Sequence, residues 1–334
     1  MGLKVKILLV LLVAVYSCRK SNYVPPVYPL PPDSLINWTV AGTIPGIFVG
    51  DIWFTSASRG FAVGDKMYQT MDGGESWSAI PNTPVMYNFF NLFFVNSQTG
   101  FAQGLTQLAT TMDGGNSWSV KTLPTDSAQT IFFVSPTEGF YGDQGAAPGL
   151  KKTINAGNNW VTSFKDSITA IGYYPYFLNS DTGFVATGSG TFAFTFDGGQ
   201  IWQSRIGVLP ANPYFPSDPN YASFNQLFFL DANKGFYACP DGIMETLNGG
   251  NSWQNILMDS IDGNYLNTVN VVRFVDTNTG YYKGLQAIYK TLDGGQTWSL
   301  NCRVGADELI GMYFLDIHNG WASTSKGRIL KLQQ

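Results

Sequence analysis

One eight-residue phrase occurs six times in this chain, and it constrains the fold more than any other feature. It reads Thr70-Met71-Asp72-Gly73-Gly74-Glu75-Ser76-Trp77, and it returns from Thr111 to Trp118, Thr153 to Trp160, Thr195 to Trp202, Thr246 to Trp253 and Thr291 to Trp298. A unit repeated every few tens of residues cannot bury its apolar face alone, so the copies must stack into an array. The local chemistry is that of a turn. The side chain at Asp72, Asp113, Asn155, Asp197, Asn248 or Asp293 can accept hydrogen bonds from downstream backbone N–H groups, while the glycines supply positive φ at no steric cost. The indoles at Trp77, Trp118, Trp160, Trp202, Trp253 and Trp298 then open the next strand, and are expected to cover the edge between neighbouring sheets with the N–H on a backbone carbonyl.

The phrase resembles the Asp-box, or BNR, repeat of β-propellers, Ser/Thr-x-Asp-x-Gly-x-x-Trp. Four copies fit in full; the Asn155 and Asn248 copies depart from it, and Ala156 replaces a glycine in the first of these. A second marker, Gly followed by an aromatic, counts the units. It runs through seven positions from Gly60-Phe61 to Gly320-Trp321, spaced by about 43 residues, which suits a four-stranded blade. Call the strands A to D from the central channel outward. Strand A is a continuous apolar run, such as Leu92-Phe93-Phe94-Val95, as expected of a strand covered on both faces. The seventh unit stops at Leu332-Gln333-Gln334 without a strand D, while Asn37-Trp38-Thr39-Val40 matches Ser117-Trp118-Ser119-Val120. The prediction is an all-β chain: a single seven-bladed β-propeller of four-stranded blades, its ring closed by the N-terminal strand (about 37–42) completing the C-terminal blade.

The propeller is assigned to residues 35–334. Ahead of it, residues 1–17 read as an export signal, with Lys4 and Lys6 before an apolar core from Ile7 to Val15 that is too short to span a bilayer. Val15-Tyr16-Ser17-Cys18 resembles the lipobox of bacterial lipoproteins, which implies lipidation at Cys18. Residues 18–34, with five prolines, form an extended tether. The expected location is the bacterial cell envelope, lipid-anchored, either facing the periplasm or exposed on the outer membrane.

A net charge of −4 and the lack of any Lys/Arg cluster argue against nucleic acid. His318 is the single histidine, so neither a His-cluster metal site nor a Ser-His-Asp triad is expected. The turns Asp231 to Gly235 and Asp276 to Gly280 imitate the start of a calcium loop, but Gly242 and Ala287 stand where its bidentate Glu belongs, so both read as hairpin turns. No metal or cofactor is expected. Cys239 and Cys302 fall in different layers of different blades, which disfavours a disulfide.

From Asn37 to Gln334 the chain is similar to the photosystem II stability/assembly factor family, through Phe-Phe-Val-x-x-x-x-Gly-Phe and Thr-x-Asp-Gly-Gly-x-Ser-Trp. That resemblance implies a non-enzymatic scaffold for assembling a membrane complex. The alternative is a glycoside hydrolase or a sialidase-like enzyme. Sialidases need three convergent arginines, and the folded part has only Arg59, Arg205, Arg273, Arg303 and Arg328. Xyloglucan-degrading enzymes of this repeat type pair two propellers around a cleft. Asp65, Asp143 and Asp241 are expected in B–C loops with nothing to pair them at glycosidase distance. No catalytic residue is assigned.

Strand direction alternates, so the Asp boxes share one face with the A–B turns, and the D–A and B–C loops share the other. Length varies on that second face, most of all at 207–221. Tyr173, Tyr174, Tyr214, Phe215, Tyr221 and Tyr265 are the candidate contacts there for a protein or glycan ligand, since Tyr and Phe offer contact area at low entropic cost; a loop packed on itself over the channel mouth is the competing expectation. Arg273 occupies a strand-A position that is aromatic in the other six blades. It either stacks on a neighbouring ring or lines the channel to meet a ligand anion. A monomeric propeller is expected.

Overall fold

Each repeat folds into its own four-stranded antiparallel sheet, and there are seven. The structure is a computed structural model and describes residues 35–44, 49–81, 83, 89–167, 172–209, 226–239, 242–258 and 271–333. Blade one has strands A to D at Val49–Phe54, Gly60–Gly64, Met67–Thr70 and Ser78–Ala79. Blade seven takes Leu309–Phe314, Gly320–Thr324 and Arg328–Leu332 from the end of the chain and Trp38–Thr43 from its beginning. The closing strand runs antiparallel to strand C, from Trp38 opposite Leu332 to Thr43 opposite Arg328. The fold is thus the seven-bladed propeller that the repeat predicts, with no exposed edge left at the ring's seam.

The Asp box works as a hydrogen-bonded knot. Asp72 Oδ1 accepts from Ser76 N at 2.9 Å, while Gly73 and Gly74 adopt φ of +78° and +101°. Thr70 takes a part that the sequence pattern does not reveal: its hydroxyl donates to Asp72 Oδ1 at 2.7 Å and accepts from Gly74 N at 2.9 Å. The same pair of bonds recurs at Thr111, Thr153, Thr195, Thr246 and Thr291. The worn copies keep it because an Asn Oδ1 accepts as a carboxylate does. The indoles do fill the seams: Trp118 packs edge-on against Phe61 of blade one and Phe94 of its own blade. Their N–H groups are less uniform than expected. Trp77 and Trp118 reach the carbonyls of Gly74 and Gly115, Trp202 donates instead to Ser163 Oγ, and Trp160, Trp253 and Trp298 find no acceptor among the described residues.

The Gly-aromatic marker has a physical cause. At every seam the strand-B aromatic of one blade stacks on a strand-A aromatic of the next, from Phe61 on Phe94 and Phe101 on Phe133 around to Tyr281 on Phe314 and Trp321 on Phe54. Such pairs add about 0.5–1.5 kcal/mol each beyond burial. The preceding glycine lies opposite that strand-A ring in its own blade, as Gly60 does opposite Phe54. A Cβ on Gly60 would sit 2.5 Å from the Phe54 ring, so only glycine leaves the ring free to reach its neighbour.

Candidate binding site in the central channel

Strand A alternates between the blade interior and the ring's axis, and the axial residues form two levels. Nearer the loop face stand Asp51, Asn91, Thr130, Tyr174 and Gln226; below them stand Trp53, Phe93, Phe132, Tyr176, Phe228, Arg273 and Tyr313, all lining one cavity of about 290 Å³. The lower level is a collar. Ring centroids lie 4.4 Å apart for Trp53 and Tyr313, 5.0 Å for Trp53 and Phe93, 5.3 Å for Phe93 and Phe132, 5.6 Å for Phe132 and Tyr176, and 5.7 Å for Tyr176 and Phe228. Arg273 fills the remaining place, its guanidinium 6.0 Å from the Phe228 ring and its Nη1 donating to Val272 O at 2.9 Å. Its guanidinium thus lies against a neighbouring ring and also lines the channel.

Among the described residues the polar level holds one carboxylate. Asp51 Oδ1 accepts from Ile52 N and Oδ2 from Leu92 N, each at 2.9 Å, which ties blade one to blade two. Burial pushes its pKa up to about 6, against the pull of those two N–H groups, Arg273 and Lys283. Lys283 is pushed down to about 8 by burial, opposed by Asp51 and Glu308, and its Nζ donates to Leu309 O at 2.9 Å. Burial also lowers the pKa of Arg273, with Tyr176 and Asp51 opposing. Asn91 Nδ2 donates to Gln103 Oε1 and to Gln129 O. Gln226 Oε1 and Gln103 Nε2 are buried without a partner among the described residues, an arrangement that costs free energy unless a further group completes it.

Asp51 gives the fold a pH dependence whose sign can be worked out. Its native pKa lies above the unfolded value of 3.8, so between about pH 4 and pH 6 the folded state binds more protons than the unfolded one, and stability falls as pH rises through that window. The expected loss is on the order of 3 kcal/mol, complete above pH 6. Carbon-detected NMR of the Asp51 carboxyl should titrate near pH 6, and Arg273→Gln should move that midpoint higher; a midpoint near 4 contradicts the burial argument.

The predicted contacts are only partly brought together. Tyr173 and Tyr174 are not loop residues but open strand A of blade four, Tyr173–Phe177, and are 1% and 3% exposed. Alternation turns Tyr173 into the seam with Leu150, its hydroxyl accepting from Asp166 N at 3.2 Å, so it cannot serve as a surface platform; Tyr174 lines the channel. Tyr214, Phe215, Tyr221, Tyr265, Asp241 and Cys18 lie outside the described residues, as does residues 1–34 as a whole. Asp143 is the last residue of strand B rather than part of a loop, and is buried.

The sequence pattern also misses a set of clasps on the loop face. Thr125 Oγ1 donates to Asp143 Oδ1, Thr187 and Ser189 hydroxyls donate to Asp166 Oδ2, and Ser325 Oγ with Arg328 Nε donates to Asp307. Each joins a D–A loop to strand B, the B–C loop or the start of strand C of the blade that follows. Buried carboxylates on this face are thereby committed to holding loops.

Against known proteins, a family model described as "Photosynthesis system II assembly factor YCF48" matches residues 163–306. No curated protein sequence matches. Among solved structures, the chain is similar to one titled "YCF48 bound to D1 peptide", with 18% identity, a TM-score of 0.67, and coverage of 91% of this chain and 99% of that one. YCF48 from Cyanidioschyzon merolae gives 19% identity and a TM-score of 0.64, covering 89% and 98%. The GH74 xyloglucanase from Xanthomonas campestris gives 12% identity and a TM-score of 0.63, with 89% of this chain matching only 53% of that enzyme. At such identities the structural likeness establishes the seven-bladed fold, which scaffolds and enzymes share.

Proposed function

We propose that the chain is a non-enzymatic binding and assembly scaffold, lipid-anchored in the bacterial envelope, that takes up a segment of a partner protein through its loop face and channel. One observation carries this reading: among the described residues a single guanidinium, Arg273, is set in a collar of six aromatic rings beneath a polar level in which Gln226 Oε1 has no partner. A carboxylate on an extended segment fits Arg273 by charge and fork geometry, flat side chains fit the collar, and an N–H donor fits Gln226. A solved YCF48 structure carries a bound D1 peptide, which supports a peptide over a glycan as ligand.

The glycan-acting alternative needs two carboxylates facing each other across a substrate. Asp51 is the one carboxylate among the described residues that line the cavity, and its two oxygens already accept backbone N–H groups. Asp143, Asp166 and Asp307 are held in the clasps. A reducing-sugar assay on xyloglucan and on cell-wall glycans separates the readings: release that disappears with Asp51→Asn favours the enzyme.

The binding reading predicts that Arg273→Gln lowers partner capture from envelope extracts by at least about tenfold, as expected for removing one member of a buried charge pair, with the melting transition retained. Equal capture contradicts it. Anchoring is tested separately. Cys18→Ala should move the protein from the membrane fraction to the soluble one, because a cleaved chain without lipid has nothing to hold it in a bilayer; continued pelleting means another anchor.

A further inference from the structure

The residue between Thr and Asp in each Asp box is apolar in every copy: Met71, Met112, Ile154, Phe196, Leu247 and Leu292. All six are between 54% and 73% exposed. Solvent-facing turns favour polar residues; Phe196 packs edge-on against Phe194 and Met112 Sδ accepts from Thr99 Oγ1, yet most of the surface of all six large apolar side chains, a ring at one offset, stays open to solvent. They share the face opposite the channel's polar level, because strand C ends, and the Asp box begins, where strand A ends.

We propose that this ring rests in the headgroup region of a lipid bilayer, so that the Asp-box face lies against the membrane and the channel's loop face points away. The inference rests on the anchoring reading above and deepens it. Two observations select lipid as the occupant. The chain enters the propeller on this same face: Trp38 pairs with Leu332, the last residue of strand C, and Ile36 beside it is 58% exposed. A lipid on Cys18 would thus be joined, through the tether, to the face that carries the ring. The second observation is charge. Hydrogen bonds from Ser76, Ser117, Ile201 and Thr297 hold the neighbouring box carboxylates below the usual range, so they remain ionised beside the apolar ring. Two copies packed face to face would oppose these carboxylates, whereas the ammonium groups of zwitterionic lipids would meet them favourably. Six of the seven blades carry such a residue, so the same chemistry repeats around most of the axis, which suits a planar, laterally uniform surface. Arg59, Lys152 and Lys234 on this face are engaged with the neighbouring blade's box, on Asn116 Oδ1, Gly198 O and Gly294 O, so attraction to anionic lipid is not the driving term.

The test uses residues 35–334, a ring that closes on itself, carrying an N-terminal hexahistidine and held on phosphatidylcholine vesicles by a nickel-chelating lipid. Hydrogen–deuterium exchange is compared with the same protein free in solution. The boxes from Thr70 to Trp77, Thr111 to Trp118 and Thr195 to Trp202 should exchange roughly tenfold more slowly on vesicles, with no change from Asp143 to Gly149 on the loop face. Replacing Met71, Ile154, Leu247 and Leu292 by Ser, and leaving Met112 and Phe196 in their contacts with Thr99 and Phe194, should abolish most of that protection while a single cooperative melting transition is kept. Protection of the loop face, protection of neither face, or box protection already present in solution with a concentration-dependent dimer would each overturn the proposal. The tether is supplied artificially, so failure here leaves anchoring at Cys18 standing, and a membrane-bound Cys18→Ala protein would overturn anchoring alone.

Discussion

Deleting Trp38–Thr43 is expected to abolish the single cooperative unfolding transition. The strand pairs along its length with Arg328–Leu332, and its loss exposes a full strand edge on blade seven. It also removes a clamp between blades: buried Trp38 donates its indole N–H to Asn301 Oδ1 of blade six at 2.7 Å and packs edge-on against Phe314 of blade seven. Asn301 would be left buried with its acceptor unmet. In a ring each blade leans on two neighbours, so opening the seam converts a closed array into a linear one that can fray from both ends. Differential scanning calorimetry should show a broadened transition at lower temperature, together with concentration-dependent association through the open edge. An unchanged transition would mean that the closing strand contributes nothing to the ring.

Trp118→Ala is the second large effect, a destabilisation of about 3–5 kcal/mol, the range for emptying a buried aromatic site. The indole is 8% exposed and wedges between Phe61 and Phe94. These two rings stack on each other across the seam of blades one and two, so the cavity opens in the side-chain packing that joins the blades. Its N–H bond to Gly115 O fixes the second glycine of its own box, and the turn loses that restraint as well. Chemical denaturation read by circular dichroism checks the figure. A loss below about 1 kcal/mol would place the indole outside the packing that stabilises the ring.

The fold was legible because each copy of the phrase carries its own turn chemistry, so six independent statements agree on one architecture. Closure was legible because Trp38 stands in a phrase that otherwise follows an Asp box. Less of the site could be read. Tyr173 and Tyr174 read as loop residues, ahead of a strand A taken to begin at Tyr176, and Pro175 stands between the two, where proline normally breaks a ladder. Strand A is the innermost strand with only the channel beyond it, so a missing N–H at Pro175 costs no pairing, and it lies in register with Val185. The polar level escaped notice for a related reason. Asp51, Asn91, Thr130 and Gln226 lie just before or at the start of the apolar runs, and only the alternation of the folded strand shows that they line the same cavity as Trp53, Phe93, Phe132 and Phe228. Arg273 was visible because it interrupts an aromatic column, and the structure puts it where that interruption suggests.

The central claim is that the channel mouth receives a partner, and photo-crosslinking in intact cells tests it most directly. p-Benzoylphenylalanine is placed at position 226, at the polar level of the channel, and at position 76, on an exposed Asp-box turn. The account predicts a discrete protein adduct from position 226, the same adduct absent from position 76, and its loss when Arg273→Gln is added to the position-226 protein while the melting transition is retained. No adduct from position 226, or an adduct indifferent to Arg273→Gln, would contradict it.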